Sequence, residues 1–298
     1  MGYWQLLTSF SNLFQAFRLA RKGKRDKPNV AAFEANLERE LFSLQAELRT
    51  GAYHPGAYKA FLIHDPKTRM ISAAPFRDRV VHHALCQIIE PLFEPAFIYD
   101  TYANRKGKGS HKGIKRCQQY LQAYNFVLKA DIRKYFPSID HDILKSIIRK
   151  KITCPDTLWL IDLIIDASNP QEPIADYFDG DDLFTPYQRR KGLPMGNLTS
   201  QFFANLYLSP FDHFVKEKLR LPYARYVDDF VMFSNDRDEL VEARRQCEAF
   251  LGNRLRLKMH PNKTHITPCE KGKPRRGDMN AHVMPPLRGS VRSLFFWL

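Results

Sequence analysis

The sequence predicts an α+β fold built around an antiparallel sheet of the split βαβ type. The first observation is the order of its patterns, which runs strand, helix, two strands joined by a tight turn, helix and strand. The second is composition, because 44% of the 298 residues are hydrophobic, which is enough for a sizeable core and argues against disorder. The third is the tight turn itself, which carries two adjacent aspartates that neither strand requires, Asp228 and Asp229.

The net charge of the chain indicates a polyanionic partner. Its 46 Lys and Arg residues outnumber 32 Asp and Glu residues, which gives a net charge of +14 and a pI near 9.6. Nucleic acid is the simplest partner for such an excess, although a basic soluble protein without such a partner has the same balance.

Cysteine usage and hydropathy indicate the compartment. The five cysteines are widely spaced and include no Cys-x-x-Cys pair, which fits neither a disulfide framework nor a zinc site and suits a reducing environment. No apolar run reaches membrane-spanning length, and the N-terminal basic cluster follows the apolar stretch instead of preceding it as in a signal peptide. We therefore expect a cytoplasmic protein that has no membrane partner.

Residues 1–57 predict a helical and basic extension. Apolar residues recur at helical spacing over about residues 3–20 and again over residues 33–48, and Thr50-Gly51 closes the second helix. The basic run between these helices is either an arm that faces RNA or a solvated helix end.

Residues 58–122 predict a hairpin, a helix and a basic loop. Two mostly apolar arms flank a turn at residues 65–68, and Asp78 is the expected N-cap of the following helix. Lys and Arg residues on the hairpin and the helix start suit a triphosphate, although a basic surface hairpin is the alternative. The glycine-rich loop that follows lacks the spacing of a dinucleotide fingerprint or a P-loop and suits contact with a nucleic-acid backbone. Its cations are Arg105, Lys106 and Lys108.

Residues 123–201 predict the first strand of the sheet, the helix that follows it and a glycine turn. Residues 126–131 predict a strand that ends in Asp131. Ser138 or Asp140 caps the next helix, which leaves Asp131 without a structural task. A glycine turn at residues 192–201 opens another helix and lets the backbone pass close to a flat ligand.

The remaining elements follow from the aspartate turn. Asp228 and Asp229 are the expected two-residue loop of a hairpin. Asp236 and Glu239 resemble a capping box at the start of the next helix. The alternation of apolar residues over 255–259 predicts a half-buried last strand, which ends in a turn that contains Lys263.

This order brings Asp131 beside the hairpin tip, although 97 positions (228 minus 131) separate it from Asp228. Three carboxylates at one sheet edge suit Mg²⁺, which keeps waters and substrate phosphates as its other ligands. Two such ions about 3.5–4 Å apart assist in-line phosphoryl transfer. Taken alone, the aspartate pair favours an ordinary acidic surface turn, and only the motifs that accompany it favour a metal site.

In this order the motifs resemble those of reverse transcriptases over about residues 58–268. Tyr226-Val227-Asp228-Asp229 resembles the Tyr-x-Asp-Asp box of the family, and Asp131 resembles its first catalytic aspartate. The resemblance implies a right-hand polymerase with an RRM-like antiparallel palm. Its parts are a helical N-terminal extension (1–57), fingers (58–122), a palm with finger insertions (123–270) and a short or truncated thumb (271–298), since no Leu-Gly primer-grip hairpin follows Cys269.

The resemblance also implies roles for single residues and a set of ligands. Phe136 resembles the steric gate that excludes a 2′-hydroxyl, and Lys263 resembles the general acid toward pyrophosphate. The implied cofactor is Mg²⁺, as two ions, with Mn²⁺ as a substitute. The implied catalytic residues are Asp131, Asp228, Asp229 and Lys263; the metal ligands Asp131, Ile132, Asp228 and Asp229; the dNTP-binding residues Arg69, Arg79, Phe136, Met195 and Gly196; and the nucleic-acid-binding residues Arg105, Lys106, Lys108 and Tyr226.

One departure from the family pattern indicates a subtype. Most of the family has Gln-Gly-x-x-x-Ser-Pro where this chain has Met195-Gly196 followed by Asn-Leu-Thr-Ser-Gln, which resembles reverse transcriptases of diversity-generating retroelements. Those enzymes copy a template RNA with errors at adenines, together with a small basic accessory protein. The implied function is error-prone, RNA-directed DNA synthesis from template RNA, a primer or cDNA, and dNTPs. The alternatives are a retron, group II intron-like or phage-defence reverse transcriptase, or a non-catalytic RNA-binding derivative, against which the three aspartates argue.

Overall fold

A computed structural model describes residues 2–64, 68–169, 171–172 and 174–269. The chain divides into two units. The first comprises Met1–Ala96 and Phe136–Tyr207, and the second comprises Phe97–Tyr135 and Leu208–Leu298. Residues 65–67 of the turn predicted at residues 65–68, and the predicted thumb at residues 271–298, lie outside the described residues.

Helices and short antiparallel strands make up the described chain. The helices are α1 (Tyr3–Leu7), α2 (Phe10–Arg21), α3 (Pro28–Ala35), α4 (Leu37–Thr50), α5 (Phe76–Phe93), α6 (Ser110–Ala123), α7 (Tyr135–Ser138), α8 (His141–Arg149), α9 (Pro155–Asp166), α10 (Thr185–Gln188), α11 (Leu198–His213) and α12 (Arg237–Leu255). The strands are β1 (Lys59–His64), β2 (Thr68–Ala73), β3 (Phe126–Asp131), β4 (Tyr223–Tyr226), β5 (Asp229–Ser234) and β6 (His265–Pro268). Within the described ranges, no helix combines the length and the apolar character needed to cross a membrane.

The N-terminal extension in the first unit is helical, but each expected helix is divided into two. Thr8 and Ser9 separate α1 from α2, and the Ser9 hydroxyl accepts a hydrogen bond from the Asn12 amide, which caps α2. Asn36 separates α3 from α4 in the same way, without a side-chain cap. Helix α4 ends where predicted, because Gly51 adopts φ +72°, a left-handed conformation that suits glycine.

The predicted hairpin is also present in the first unit. Strands β1 and β2 pair antiparallel, from Lys59 opposite Ala73 to His64 opposite Thr68. The prediction that Asp78 caps the following helix was wrong, because α5 begins after Pro75 and Asp78 lies buried in its first turn. The Asp78 carboxylate instead accepts hydrogen bonds from the Tyr53 hydroxyl (2.8 Å) and the Gly56 amide (2.8 Å).

The sheet of the second unit has the predicted split βαβ topology. Its strand order is β4-β5-β3-β6, and every neighbouring pair is antiparallel. All six residues of β5 are buried, so the two central strands carry the core of this unit. The helices and the antiparallel sheet together confirm the α+β class.

The position of the last strand differs from the prediction. Leu255, Leu257 and Met259 are buried in the expected alternation, but Leu255 ends α12 and the other two lie in the connection that follows. Arg256 adopts a left-handed conformation (φ +49°) that ends the helix and turns the chain. The strand that pairs with β3 is β6, which comes after the turn.

Candidate active site

Two of the predicted aspartates are direct neighbours at one end of the sheet in the second unit. Asp131 is the last residue of β3, Asp229 is the first residue of β5, and they are cross-strand partners. Both are buried, with exposures of 7% and 5%. Asp228 occupies the adjacent turn, where its carbonyl accepts a hydrogen bond from the Ile132 amide (3.3 Å). The sheet thus brings together carboxylates from two distant parts of the chain.

The tight turn lies one residue earlier than the sequence indicated. Tyr226 pairs with Asp229, so the two-residue loop is Val227-Asp228 and not Asp228-Asp229. The ladder therefore fixes the backbone of Asp229. Val227 adopts φ +58°, which a β-branched residue rarely does and which glycine usually supplies in two-residue hairpins.

Burial, and then the neighbouring negative charges, raise the pKa of one aspartate at this edge. Burial raises the pKa of Asp229 to about 7, and the charges of Asp228 and Asp131 add to the shift, while Lys129 and Lys263 oppose it. Burial also lowers the pKa of Lys129, although its acidic neighbours act in the opposite direction. The two lysines therefore do not offset the combined effect of burial and the neighbouring carboxylates on Asp229.

Lys263 belongs to the same cluster. Its Nζ lies 2.5 Å from Oδ2 of Asp131, in an ion pair that is partly buried. The turn Pro261–Lys263 is fixed to the end of β3, because the His260 amide donates to the Asp131 carbonyl (2.7 Å). The structure thus brings Lys263 to the carboxylates that the sequence singled out.

The donor set at this edge fits divalent cations that carry substrate. Within the described part of the chain, no group of three or more His, Cys, Asp or Glu side chains is placed so that it could hold a metal ion, so these residues form no metal cage by themselves. Mg²⁺ does not need such a cage, because one or two carboxylates suffice when waters and phosphates fill its other positions. Burial is the main cause of the raised pKa of Asp229, the charges of Asp228 and Asp131 add to it, and such cations would neutralise these neighbouring charges. Asp131, Asp228 and Asp229 would hold them, and Ile132 offers only its backbone carbonyl.

In metal-free protein, we expect Asp229→Asn to raise the melting temperature at pH 8 by several degrees. A pKa near 7, against an ordinary value of 3.8, means that the folded state holds the Asp229 proton more tightly than the unfolded chain does. The contribution of Asp229 to the stability of the wild type is therefore largest below its ordinary pKa of 3.8 and is lost as pH rises through about 7, whereas asparagine carries no charge and avoids this loss. Thermal unfolding in EDTA between pH 5 and 8 measures the difference. Equal slopes for the two proteins would contradict the expectation.

The predicted dNTP-binding residues lie in the first unit. Arg79, in α5, donates from Nε to the Ala74 carbonyl (2.8 Å), and burial lowers its pKa. Arg69 lies on β2 opposite Ile63. The carbonyl of Phe136 accepts a hydrogen bond from the amide of Leu193 (2.9 Å), which ties α7 to the glycine turn.

The glycine turn is fixed to β2 by a residue that sequence reasoning missed. Asn197 is 3% exposed; its Oδ1 accepts from the Ala74 amide (3.2 Å) and its Nδ2 donates to the Ser72 carbonyl (2.8 Å). The Ser72 amide in turn donates to the Met195 carbonyl (3.0 Å). Gly196 has φ +104°, and a Cβ there would lie 2.8 Å from Ile71, so this approach needs glycine. In the sequence, Asn197 is distinguished only by being a polar residue directly after the Met195-Gly196 pair.

The basic loop in the second unit uses two of its three cations for internal contacts. Arg105 Nη1 donates to the Ile98 carbonyl (2.7 Å), and Lys108 Nζ lies 3.3 Å from the centre of the Tyr99 ring. Lys106 is exposed. Tyr226, the fourth predicted nucleic-acid contact, packs partly buried against the core cluster that contains Phe233.

Comparison with known proteins places this chain in a family. The family described as "Reverse transcriptase (RNA-dependent DNA polymerase)" matches residues 63–275. Protein YkfC of Escherichia coli (strain K12) is 25% identical, over 90% of this chain and 80% of that protein. The group II intron-encoded protein LtrA of Lactococcus lactis subsp. cremoris is 21% identical over 87% of this chain, which spans about half (52%) of LtrA.

The fold has solved counterparts. The structure of apo telomerase from Candida tropicalis, truncated from the C-terminal domain, superimposes with a TM-score of 0.54 at 14% identity, over 77% of this chain and 55% of that one. This likeness concerns the fold alone and agrees with the predicted α+β polymerase fold. Because the family match covers more than half of the 298 residues and includes all three aspartates and Lys263, the chain belongs to the reverse transcriptase (RNA-dependent DNA polymerase) family.

Proposed function

We propose that this chain extends a primer with deoxynucleotides on an RNA template, with its chemistry at Asp131, Asp228 and Asp229. The observation that carries the proposal is the cross-strand pairing of Asp131 with Asp229, with Asp228 in the adjoining turn. Buried acidic groups of this kind are unfavourable unless cations neutralise them. Divalent cations that bind here together with substrate phosphates would supply this neutralisation.

Different residues of the chain have different roles in phosphoryl transfer. When bound, Mg²⁺ acts as a Lewis acid toward phosphate oxygens and favours ionisation of the primer 3′-hydroxyl. The aspartates hold negative charge where the cations bind. Lys263 keeps a proton on Nζ beside Asp131 and delivers it toward the pyrophosphate leaving group. Arg69 and Arg79 bind the triphosphate through charge-assisted hydrogen bonds.

Primer extension tests this proposal directly. Purified protein is incubated with an RNA template, an annealed DNA primer, labelled dNTPs and Mg²⁺, and the products are sized. We expect template-dependent extension that EDTA abolishes and that falls steeply with salt, because backbone contacts release counterions. A pure, folded protein that extends no primer with either Mg²⁺ or Mn²⁺ would exclude the function.

We expect Phe136→Val to admit ribonucleotides. If the ring lies under the sugar of the incoming nucleotide, a smaller side chain leaves room for the 2′-hydroxyl, and discrimination should fall by about 100-fold. The ratio of kcat/KM for dCTP to that for CTP measures it. Phe184→Val is the matched control, because Phe184 is in the same unit and is 64% exposed. If both variants keep the wild-type ratio, Phe136 is not the gate.

A finer proposal concerns fidelity. We propose that the chain is the error-prone enzyme of a diversity-generating retroelement, which acts with a small basic accessory protein. Met195 supports it, since an apolar and flexible side chain fills space without the hydrogen bonds that a glutamine offers near the incoming nucleotide. A mispair then loses less binding energy relative to a correct pair.

We expect Met195→Gln to lower the misincorporation rate opposite template adenines, with a smaller effect at the other bases. Sequencing of cDNA made on the natural template gives both rates, and Met70→Gln is a control for the substitution itself. An unchanged misincorporation rate opposite template adenines would show that Met195 does not determine fidelity. The DNA around the gene should also contain a repeat pair that differs mainly at adenines.

A group II intron-like enzyme is the second candidate. The likeness to LtrA, an intron-encoded protein, over 87% of this chain favours it. The two candidates predict different surroundings for the gene, because an intron-encoded protein lies within an intron RNA and a diversity-generating enzyme lies beside a repeat pair. The flanking DNA sequence therefore distinguishes them.

A further inference from the structure

The strand before the aspartate turn contains a fully buried ion pair. Arg225, in β4, and Asp212, in α11, each have a side-chain exposure of 1%. The guanidinium binds the carboxylate through two bonds, from Nε to Oδ1 (2.7 Å) and from Nη2 to Oδ2 (2.6 Å). The Tyr223 hydroxyl donates to the same Oδ1 (2.8 Å). This planar arrangement fixes the orientation of the guanidinium group.

The remaining terminal nitrogen of Arg225 reaches the turn itself. Nη1 donates to the carbonyl of Val227 at 2.7 Å. Val227 is the residue whose φ of +58° is disfavoured for a β-branched side chain, and it immediately precedes Asp228. The contact therefore acts on the peptide group that joins Val227 to Asp228.

The backbone of Arg225 is held independently of its side chain. Its amide donates to the Asp100 carbonyl (3.0 Å), and its carbonyl accepts from the Tyr102 amide (3.0 Å). The residue also pairs with Phe230 across the sheet. Replacement of the Arg225 side chain should therefore leave the backbone of β4 unchanged and affect mainly the Val227-Asp228 turn.

We propose that Arg225 is a positioning residue: anchored by Asp212, it holds the strained Val227 carbonyl and so sets the position of Asp228 for cation binding beside Asp229, which the ladder already fixes. This inference rests on the proposed function of the aspartates. It differs from a purely structural role, in which the ion pair would stabilise the unit without affecting the metal requirement.

The variants are chosen to avoid a buried, uncompensated charge. Arg225→Met alone would leave Asp212 without its partner, so it is combined with Asp212→Asn, which keeps an acceptor for the Tyr223 hydroxyl. Val227→Gly is then added, because glycine adopts φ near +58° without strain and the turn no longer needs an external anchor. Val227→Gly by itself serves as the reference for the triple variant.

A matched control removes another buried ion pair. Arg189 and Asp181, in the first unit, each have a side-chain exposure of 5%. Because Arg189 Nε also lies 3.4 Å from Oδ2 of the buried Asp140, Asp140→Asn is added so that no buried charge loses its partner. The control Arg189→Met/Asp181→Asn/Asp140→Asn should lower the melting temperature without changing the Mg²⁺ requirement.

Three measurements are made on each protein: melting temperature, Mn²⁺ binding by electron paramagnetic resonance without substrate, and the Mg²⁺ dependence of primer extension. We expect Arg225→Met/Asp212→Asn to weaken Mn²⁺ binding and to raise the half-saturating Mg²⁺ concentration by about 10-fold each, as loss of a group that orients metal ligands commonly does. Its kcat should fall by about 100-fold, with KM for primer-template unchanged. The triple variant should recover most of both losses.

Two results would overturn the inference. One is a double variant that loses melting temperature but keeps wild-type Mn²⁺ binding and Mg²⁺ requirement, as expected of the Arg189 control. The other is a triple variant that recovers nothing. A wild type that binds Mn²⁺ but extends no primer would contradict the proposed polymerase and leave the positioning role to be judged by Mn²⁺ binding alone.

Discussion

Asp228→Asn is expected to reduce primer extension by at least about 1,000-fold, which corresponds to about 4 kcal/mol of transition-state stabilisation. The substitution keeps the size of the side chain and its oxygen but removes the charge that attracts a divalent cation. The fold should persist, because the contact between Asp228 and Ile132 uses the Asp228 backbone carbonyl. Removal of one of three neighbouring negative charges should also leave the metal-free protein no less stable than the wild type.

The matched control for this variant is Asp238→Asn, since Asp238 is an exposed aspartate in the first turn of α12, in the same unit. Both proteins are compared by melting temperature and by single-nucleotide incorporation on an RNA template. If the Asp228 variant is folded and retains more than a few per cent of the wild-type rate, the aspartates are not the metal site. A chain that never polymerised, as a non-catalytic RNA-binding derivative, would show no difference between wild type and either variant.

The order of the strands was predictable because it depends on local pattern. The apolar run before Asp131, the paired strands around Asp228 and the helix that follows Asp236 each leave a periodic pattern in the sequence. The exact turn was not predictable. The aspartate pair suggested a loop, but Asp229 forms part of the sheet ladder, and Val227 takes a loop position that its side chain disfavours.

The last strand shows why burial pattern alone is insufficient. Residues 255–259 have the alternation of a half-buried strand, yet they comprise a helix end and a connection. Alternating burial requires only that every second side chain faces the core. A strand also requires a partner edge, and β6 occupies the edge of β3 instead.

The supporting contacts of the site were beyond sequence reasoning because their partners are distant or internal. Asn197 binds the backbone at Ala74, 123 positions away, and no local pattern records that pairing. Arg225 looked like one of many basic residues, whereas its burial against Asp212 depends on how α11 packs on the sheet. Sequence patterns thus indicate the candidate catalytic carboxylates, but they do not indicate the residues, such as Asn197 and Arg225, whose contacts hold the surrounding backbone in place.

Lys263→Met is expected to reduce kcat by about 100- to 1,000-fold if this lysine protonates the leaving pyrophosphate. Its Nζ is already placed at the carboxylate cluster by the ion pair with Asp131 and by the turn that His260 fixes to β3. A purely electrostatic role predicts a different pattern. Arginine keeps the positive charge but does not release a proton in proteins, so Lys263→Arg separates the two roles.

The Mg²⁺ requirement gives an independent check on Lys263. Its ammonium and a divalent cation both compete for the Asp131 carboxylate, so Lys263→Met should leave the half-saturating Mg²⁺ concentration unchanged or lower, while kcat falls. Lys218→Met, at an exposed lysine of the same unit, is the control and should keep the wild-type kcat. If Lys263→Arg retains the full rate, the lysine contributes charge alone. If Lys263→Met retains it as well, the ion pair with Asp131 serves only to balance charge in the metal-free protein.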